Sequence, residues 1–212
     1  MLIPEVYTIS LAIILGYLIG SIPTAYIAVR IIKRKDIREI DVGNVGAAAV
    51  IRQTGKIPGL IVAFIDIAKG SAVILIANAL GLAEIWILCS GFAALLGHCY
   101  PVYIGFRGGQ GASTVIGIFL VLTPYITLII LGLLLIALAI IRRIFPSICI
   151  ISISLPLLIY FVNGSLLLLI FSILIMVFMI SRNYKGIVKE IRMLHNYIKT
   201  KLKKSSANTN SW

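Results

Sequence analysis

The stretch Ala112-Ser-Thr-Val-Ile-Gly-Ile-Phe-Leu-Val-Leu-Thr123-Pro124-Tyr-Ile-Thr-Leu-Ile-Ile-Leu-Gly-Leu-Leu-Leu-Ile-Ala-Leu-Ala-Ile-Ile141 decides the fold. It is apolar almost throughout, and a single bilayer crossing needs roughly 20 such residues. Read as one helix, it crosses once. Interrupted at Thr123-Pro124, where proline removes an N–H and restrains the residue before it, it crosses twice. Every loop after this point changes sides with that choice.

The surrounding chain settles the choice. Six regions flank the break as apolar runs: about 6–32, 57–80, 85–96, 112–122, 125–141 and 146–161, with a further run at 166–180. Together they make seven crossings. With the break at Pro124, the loops after runs one, three and five, the run ends that feed them and the C-terminal tail hold every Lys and Arg except Lys69. The opposite loops hold none. Positive residues mark the cytoplasmic side, so the N-terminus is expected outside and the C-terminus inside. Without the break this sorting fails.

Composition agrees. The 212 residues are 60% hydrophobic and 12% charged, with a mean hydropathy of +1.10. A soluble domain carries about twice that charge fraction. The fold class expected is therefore all-α: a polytopic membrane protein with one integral domain over 1–204 and a disordered tail over 205–212. The runs are continuous rather than alternating, which excludes a transmembrane β-barrel. The N-terminus lacks a basic n-region, so a cleaved signal peptide is not expected. The net charge of +12 would suggest nucleic acid in a soluble chain, but here the cations lie at helix ends, where topology and anionic headgroups explain them. Cys89, Cys99 and Cys149 match no metal or redox spacing. No internal repeat points to a transporter.

Two polar islands fall on the same expected cytoplasmic face. The first spans 33–56 and contains Asp41-Val-Gly-Asn-Val-Gly46 and Arg52. The second spans 97–111 and reads Gly-His-Cys-Tyr-Pro-Val-Tyr-Ile-Gly-Phe-Arg-Gly-Gly-Gln-Gly. Gly108-Gly109-Gln110-Gly111 opening into a helix at Ala112 is an expected anion cradle. Glycines let backbone N–H groups come close, and the helix N-terminus adds positive potential. Arg107 would add a charge-assisted contact to phosphate. Asp66 and Lys69, three apart inside an apolar run, share a helix face and can pair; a functional role and a self-satisfied ion pair both fit. His98 either positions phosphate or caps the third helix. Lys33 to Arg38 reads first as a topological anchor. The basic tail around Arg182, Lys185, Lys189 and Arg192 reads as an amphipathic helix on an anionic leaflet.

Gly20-Ser-Ile-Pro23, Gly43-Asn-Val-Gly46-Ala with Arg52, Asp66-Ile-Ala-Lys-Gly70, and Gly97-His-Cys-Tyr-Pro101 through Phe106-Arg-Gly-Gly-Gln-Gly111 resemble the membrane acyl-phosphate:glycerol-3-phosphate acyltransferases, the PlsY family. The resemblance runs in motif order through the first two-thirds of the chain and continues as hydropathy. It implies seven transmembrane helices, a bacterial inner-membrane location and an active site on the cytoplasmic face. It implies transfer of a fatty acyl group from acyl phosphate to the 1-hydroxyl of glycerol 3-phosphate, giving lysophosphatidic acid for phospholipid synthesis. No cofactor, metal or acyl-enzyme is implied. The partners are the two substrates and membrane lipids, and the oligomeric state stays open. Asn44, orienting the acceptor or the acyl carbonyl, and His98 are the implied catalytic residues. Gly43, Gly46, Arg52, Lys69, Arg107, Gly108, Gly109, Gln110, Gly111 and Arg182 are the implied phosphate-binding set.

The chain departs from the family pattern at named positions. Asp41, Val42, Ala48 and Ala49 stand where the family has Gly, Ser, Thr and Asn; Gln110 stands for a Lys. Ser181 stands for a His, and Tyr184 for an Asn that Asn183 misses by one place. Val and Ala cannot donate the hydrogen bonds of the side chains they replace. A second reading therefore accompanies the first: a non-catalytic or substrate-shifted paralogue that binds a phosphate-bearing lipid precursor.

Overall fold

The computed structural model describes residues 2–41, 45–141 and 144–209. It is 85% helical, with no strand among the described residues. The helices are α1 (Leu2–Gly20), α2 (Thr24–Lys33), α3 (Ile37–Ile40), α4 (Ala47–Thr54), α5 (Lys56–Ala79), α6 (Glu84–Cys99), α7 (Ala112–Leu122), α8 (Pro124–Ile141), α9 (Ile144–Asn163) and α10 (Leu166–Thr209).

The chain breaks where its chemistry demands. α1 stops at Gly20, and Pro23, which has no N–H to donate, separates it from α2. The break expected at Pro124 is present: the Thr123 N–H closes α7 on the Phe119 carbonyl at 2.8 Å, and Pro124 takes the first position of α8. α4 turns into α5 at the single residue Gly55, whose φ of 104° suits glycine. α10 is one continuous helix that leaves the apolar run and extends to Thr209. Residues 205–209 are thus helical where disorder was expected. No proline interrupts the chain after Leu166, and Lys, Ser and Ala sustain a helix already nucleated.

Glycine sets the two tightest helix contacts. α1 lies on α6 with Gly16 and Gly20 against the backbone of Ser90 and Ala94, and Gly97 answers against Tyr17 and Ser21. α5 lies on α7 with Gly70 against Thr114 and Gly117 against Ile67. Helices pack this way in lipid because small residues let backbones approach where no hydrophobic force drives association. The Ser71 hydroxyl donates to the Gly117 carbonyl at 2.8 Å and pins the second pair.

Two apolar clusters result. The larger joins α6, α7, α9 and α10 through Leu95, Ile118, Phe119, Ile159 and Ile175. The smaller gathers Val29, Ile37, Ala49, Val50, Val62 and Ile104, and it ties α2, α3 and α4 to α5 and to the turn after α6. Facing outward are Leu60, Phe64, Leu75, Tyr125, Leu135, Phe161 and Val177, a coat suited to lipid rather than water. Among the described residues, four helical spans are long and apolar enough to cross a membrane: Glu5–Lys33, Lys56–Ala79, Glu84–Ile104 and Leu166–Tyr184.

Candidate active site

The second polar island folds as a closed hairpin between α6 and α7. After Tyr100 and Pro101 a short 3-10 turn (Val102–Ile104) leads to Gly105 and Phe106, both left-handed at φ 67° and 60°. The chain then returns along α6. The Gly108 N–H donates to the Cys99 carbonyl at 3.2 Å, and the Gly109 N–H to the His98 carbonyl at 3.1 Å. These bonds satisfy two carbonyls that the end of α6 would otherwise leave open. They also use two of the N–H groups expected to face an anion. The free donors shift one step on, to Gln110 and the first turn of α7, where helix geometry leaves N–H groups unpaired.

Gly108, Gly109 and Gly111 each sit where a Cβ would meet other atoms. A Cβ on Gly108 would run into the His98 and Cys99 carbonyls, and one on Gly109 into the His98 imidazole. Gly111 caps α7 at φ 90°, facing Leu95, Cys99 and Met179. Arg107 is exposed at the tip and Gln110 half-buried.

Beneath the hairpin lies a buried charged group. Asp66 and Lys69 on α5 are both buried and pair at 2.8 Å. The Thr24 hydroxyl donates to the same Asp66 oxygen at 2.6 Å. Lys69 also donates to the Ile22 carbonyl at 3.1 Å, a group exposed by the break before Pro23. His98 Nδ1 stands 3.7 Å from Asp66 Oδ1, with the far side of its ring against Gly109. The expected i,i+3 pair is therefore real, and it is the centre of a network spanning α2, α5 and α6. A small cleft opens beside it, lined by Thr24, Val45, Lys69, His98, Pro101, Gly108 and Gly109.

α10 closes the group from the other side. Arg182 donates to the Gly108 carbonyl at 3.4 Å and lies 5.3 Å over the Tyr100 ring. Its buried Nε has no hydrogen-bond partner among the described residues, and the same holds for the Asn183 Oδ1 and the Thr114 hydroxyl. Ser181, where the family has His, bonds back to the Phe178 carbonyl at 2.8 Å.

The first island is only partly described. Gly43 and Asn44 lie outside the described residues, as does Val42. Gly46 is buried at the start of α4. Arg52 is exposed on α4, and its Nε and Nη2 bond the two oxygens of Asp41 at 3.0 and 2.9 Å. Ala49 is fully buried in the smaller cluster, so its methyl group belongs to the core.

Four residues gain roles that the sequence reading did not assign. Arg38, read as part of a topological anchor, donates to the Ile104 carbonyl at 2.9 Å, chelates Asp36 and stacks over Tyr26 at 5.2 Å. It ties the first island to the hairpin of the second. The hydrogen bonds from Arg38 hold the Asp36 carboxyl below its ordinary pKa, and Asp36 in turn raises that of the guanidinium. Thr24 joins Asp66, and Tyr17 donates to the Tyr100 carbonyl at 2.8 Å. Asn183 presents an unpartnered oxygen one residue from the expected position. For Thr24 and Asn183 the only available signal was adjacency to a motif.

The structure thus gathers Lys69, His98, Gly108, Gly109, Gly111 and Arg182 at one end of the bundle, with Arg107 exposed above them. Arg52 is engaged instead with Asp41.

Comparison with known proteins follows this geometry. Residues 10–192 match the family model described as glycerol-3-phosphate acyltransferase. The chain is 38% identical over 164 residues to the glycerol-3-phosphate acyltransferase of Parasynechococcus marenigrum (strain WH8102), covering 77% of each chain. It is 38% identical over 186 residues to that of Prochlorococcus marinus (strain NATL1A), covering 86% of this chain and 94% of the relative. Among solved structures it is similar to PlsY, an integral membrane glycerol 3-phosphate acyltransferase, in its glycerol 3-phosphate form. The TM-score is 0.81 at 30% identity, over 87% of this chain and 92% of the other. The lysophosphatidic acid form gives a TM-score of 0.77 over the same shares. The motifs, the helical membrane fold and these matches agree, and the chain belongs to the glycerol-3-phosphate acyltransferase family.

Proposed function

We infer that this multi-pass membrane protein acylates glycerol 3-phosphate at its 1-hydroxyl, with acyl phosphate as donor, to form lysophosphatidic acid for phospholipid synthesis. The single observation that carries the reading is the match to PlsY in its glycerol 3-phosphate form over 87% of the chain. In the reaction the 1-hydroxyl oxygen attacks the acyl carbonyl carbon. The bond from that carbon to the phosphate oxygen breaks, phosphate leaves with the electron pair, and the hydroxyl proton ends on phosphate. Both reactants are anions, so the protein's task is to hold two phosphates near each other and stabilise the charge on the attacked oxygen.

The residues divide accordingly. Gln110, the opening turn of α7 and Arg107 receive one phosphate, and Gly111 gives that turn its approach angle. Arg182 adds a cation from α10. Arg52, with Gly43 and Gly46, serves the other phosphate, and Asn44 orients the acceptor. His98 supports Gly109 from beneath, and Lys69 contributes positive potential through the buried network.

Seven crossings, with the N-terminus outside and this site on the cytoplasmic face of a bacterial inner membrane, complete the reading. Three shorter apolar helices, Ala112–Leu122, Pro124–Ala137 and Ser154–Asn163, supplement the four long spans. At about 1.5 Å per residue α7 rises only about 16 Å, roughly half the hydrocarbon thickness. One end of α7 therefore lies inside the hydrocarbon layer, and in this reading it is the end that carries the hairpin. Irregular backbone is tolerated at that depth only where protein buries and satisfies it, as the Gly108 and Gly109 bonds do.

The test is an assay of purified protein in lipid with acyl phosphate and glycerol 3-phosphate. Lysophosphatidate should form, and Arg107→Ala and Arg182→Ala should each lower kcat/KM by about tenfold to a hundredfold, the scale of one charge-assisted hydrogen bond. Folded protein that binds glycerol 3-phosphate without turnover would overturn this reading in favour of the non-catalytic one.

A further inference from the structure

The Asp41–Arg52 pair places a carboxylate on the guanidinium of Arg52, the arginine of α4 in the first island. Both ends are anchored. Asp41 follows α3, its N–H held by the Ile37 carbonyl at 3.0 Å, and Ile37 is fully buried. Arg52 follows Ala49 and Val50 on α4, both fully buried in the same cluster. The packing of that cluster therefore presents the two side chains to each other. Contact is bidentate: Nε to one carboxylate oxygen at 3.0 Å and Nη2 to the other at 2.9 Å. The Nε–Nη2 edge is one of the two paired-donor edges with which a guanidinium grips a phosphate. The Asp41 side chain is 15% exposed and that of Arg52 52%, so a solvent-borne anion reaches the arginine but finds this edge occupied.

We propose that Asp41 is an internal competitor for substrate phosphate at Arg52, and so sets the affinity of the first island for its anionic acceptor. The proposal rests on the reading of Arg52 as a phosphate ligand. An arriving phosphate must displace the carboxylate or accept the remaining guanidinium donors beside a like charge. Either route weakens binding by about what the exposed pair is worth, a factor of about two to five.

The experiment uses full-length protein in lipid nanodiscs, with equilibrium dialysis of glycerol 3-phosphate and of inorganic phosphate. Asp41→Asn and Asp41→Gly should each tighten glycerol 3-phosphate about twofold to fivefold. Inorganic phosphate, where it competes with glycerol 3-phosphate, should tighten in parallel. The gain should vanish in the Arg52→Gln background. Thermal unfolding of each variant confirms that it is folded; the Gly variant leaves no side chain at 41, and the Asn variant keeps its size. Unchanged or weaker binding in both folded variants overturns the proposal. So does a gain that survives Arg52→Gln, because the competition would then lie elsewhere. Tightening without acyl transfer in any variant would leave the proposal standing and remove the acyltransferase reading. Turnover with no response to Arg52→Gln would do the reverse.

Discussion

At the scale of single residues, the site depends on atoms that are missing. Gly109 has no Cβ because the His98 ring fills that space. Gly109→Ala must push the imidazole off or open the Gly109 to His98 carbonyl bond. We expect activity to fall at least about tenfold, with about 1–3 kcal/mol lost in thermal unfolding. His98→Ala in the same background should recover the stability and not the activity, which separates crowding from function. Asp36 sets a pH-dependent contribution. Its folded pKa lies below the ordinary carboxylate value, because Arg38 donates to the ionised form. The stabilisation is therefore fully present above the ordinary carboxylate range and is lost as pH falls through the lowered value. Protection against hydrogen exchange in α3, after correction for the intrinsic pH dependence of exchange, should fall on acidification from neutral pH. Asp36→Asn should remove that dependence and leave protection low throughout.

Among helices, close approach through glycine carries the assembly. Gly117 and Gly132 make a paired comparison, since both lie inside apolar helices. A Cβ at 117 meets the Ile67 and Ser71 backbone, whereas at 132 nothing lies within 4 Å. Gly117→Ala should part α5 from α7 and cost about 1–3 kcal/mol. Gly132→Ala should be neutral or stabilise by up to about 1 kcal/mol through helix propensity. Unfolding midpoints in one detergent decide it, and equal effects would refute this account of the α5–α7 contact. The four-residue spacing of Gly16 and Gly20 in run one is a packing signal that the sequence itself carries. The partner helix was not readable, because any apolar helix offers a backbone to approach. The break at Pro124 was readable, because proline acts on its own helix.

For the molecule as a whole, apolar runs placed α5 to α9 within a few residues, whereas run one divides into α1 and α2, and α10 continues past its run to Thr209. Where the pattern is carried by composition along the chain, it was legible. Contacts between segments were not. Asp66 and Lys69 were seen as a pair because they share one helix face; Thr24, His98 and the Ile22 carbonyl joined them only in space. The Gly108 and Gly109 N–H groups were expected to point at a ligand, since glycine-rich sequence does not say which way its amides turn. Arg52 and Asp41 looked like one retained and one altered motif position until their side chains met. The proposed orientation has a direct check: single cysteines replacing Asn163 and Lys204, in a background with Cys89, Cys99 and Cys149 changed to Ala or Ser. A membrane-impermeant maleimide applied to intact spheroplasts should label position 163 and spare position 204 until the membrane is opened.

The pairing of Asp66 with Lys69 also bears on how the chain enters the bilayer. Both charges belong to α5 and lie one turn apart, so they neutralise each other as soon as that turn winds, before any other helix is present. An uncompensated charge mid-span hinders insertion by about 2.5–3.5 kcal/mol. A pair already closed lets α5 leave the insertion machinery as a nearly neutral rod. Thr24 and His98 add to a carboxylate that its own helix already pairs, so the charge at the site's buried centre does not depend on either of them for its counter-ion.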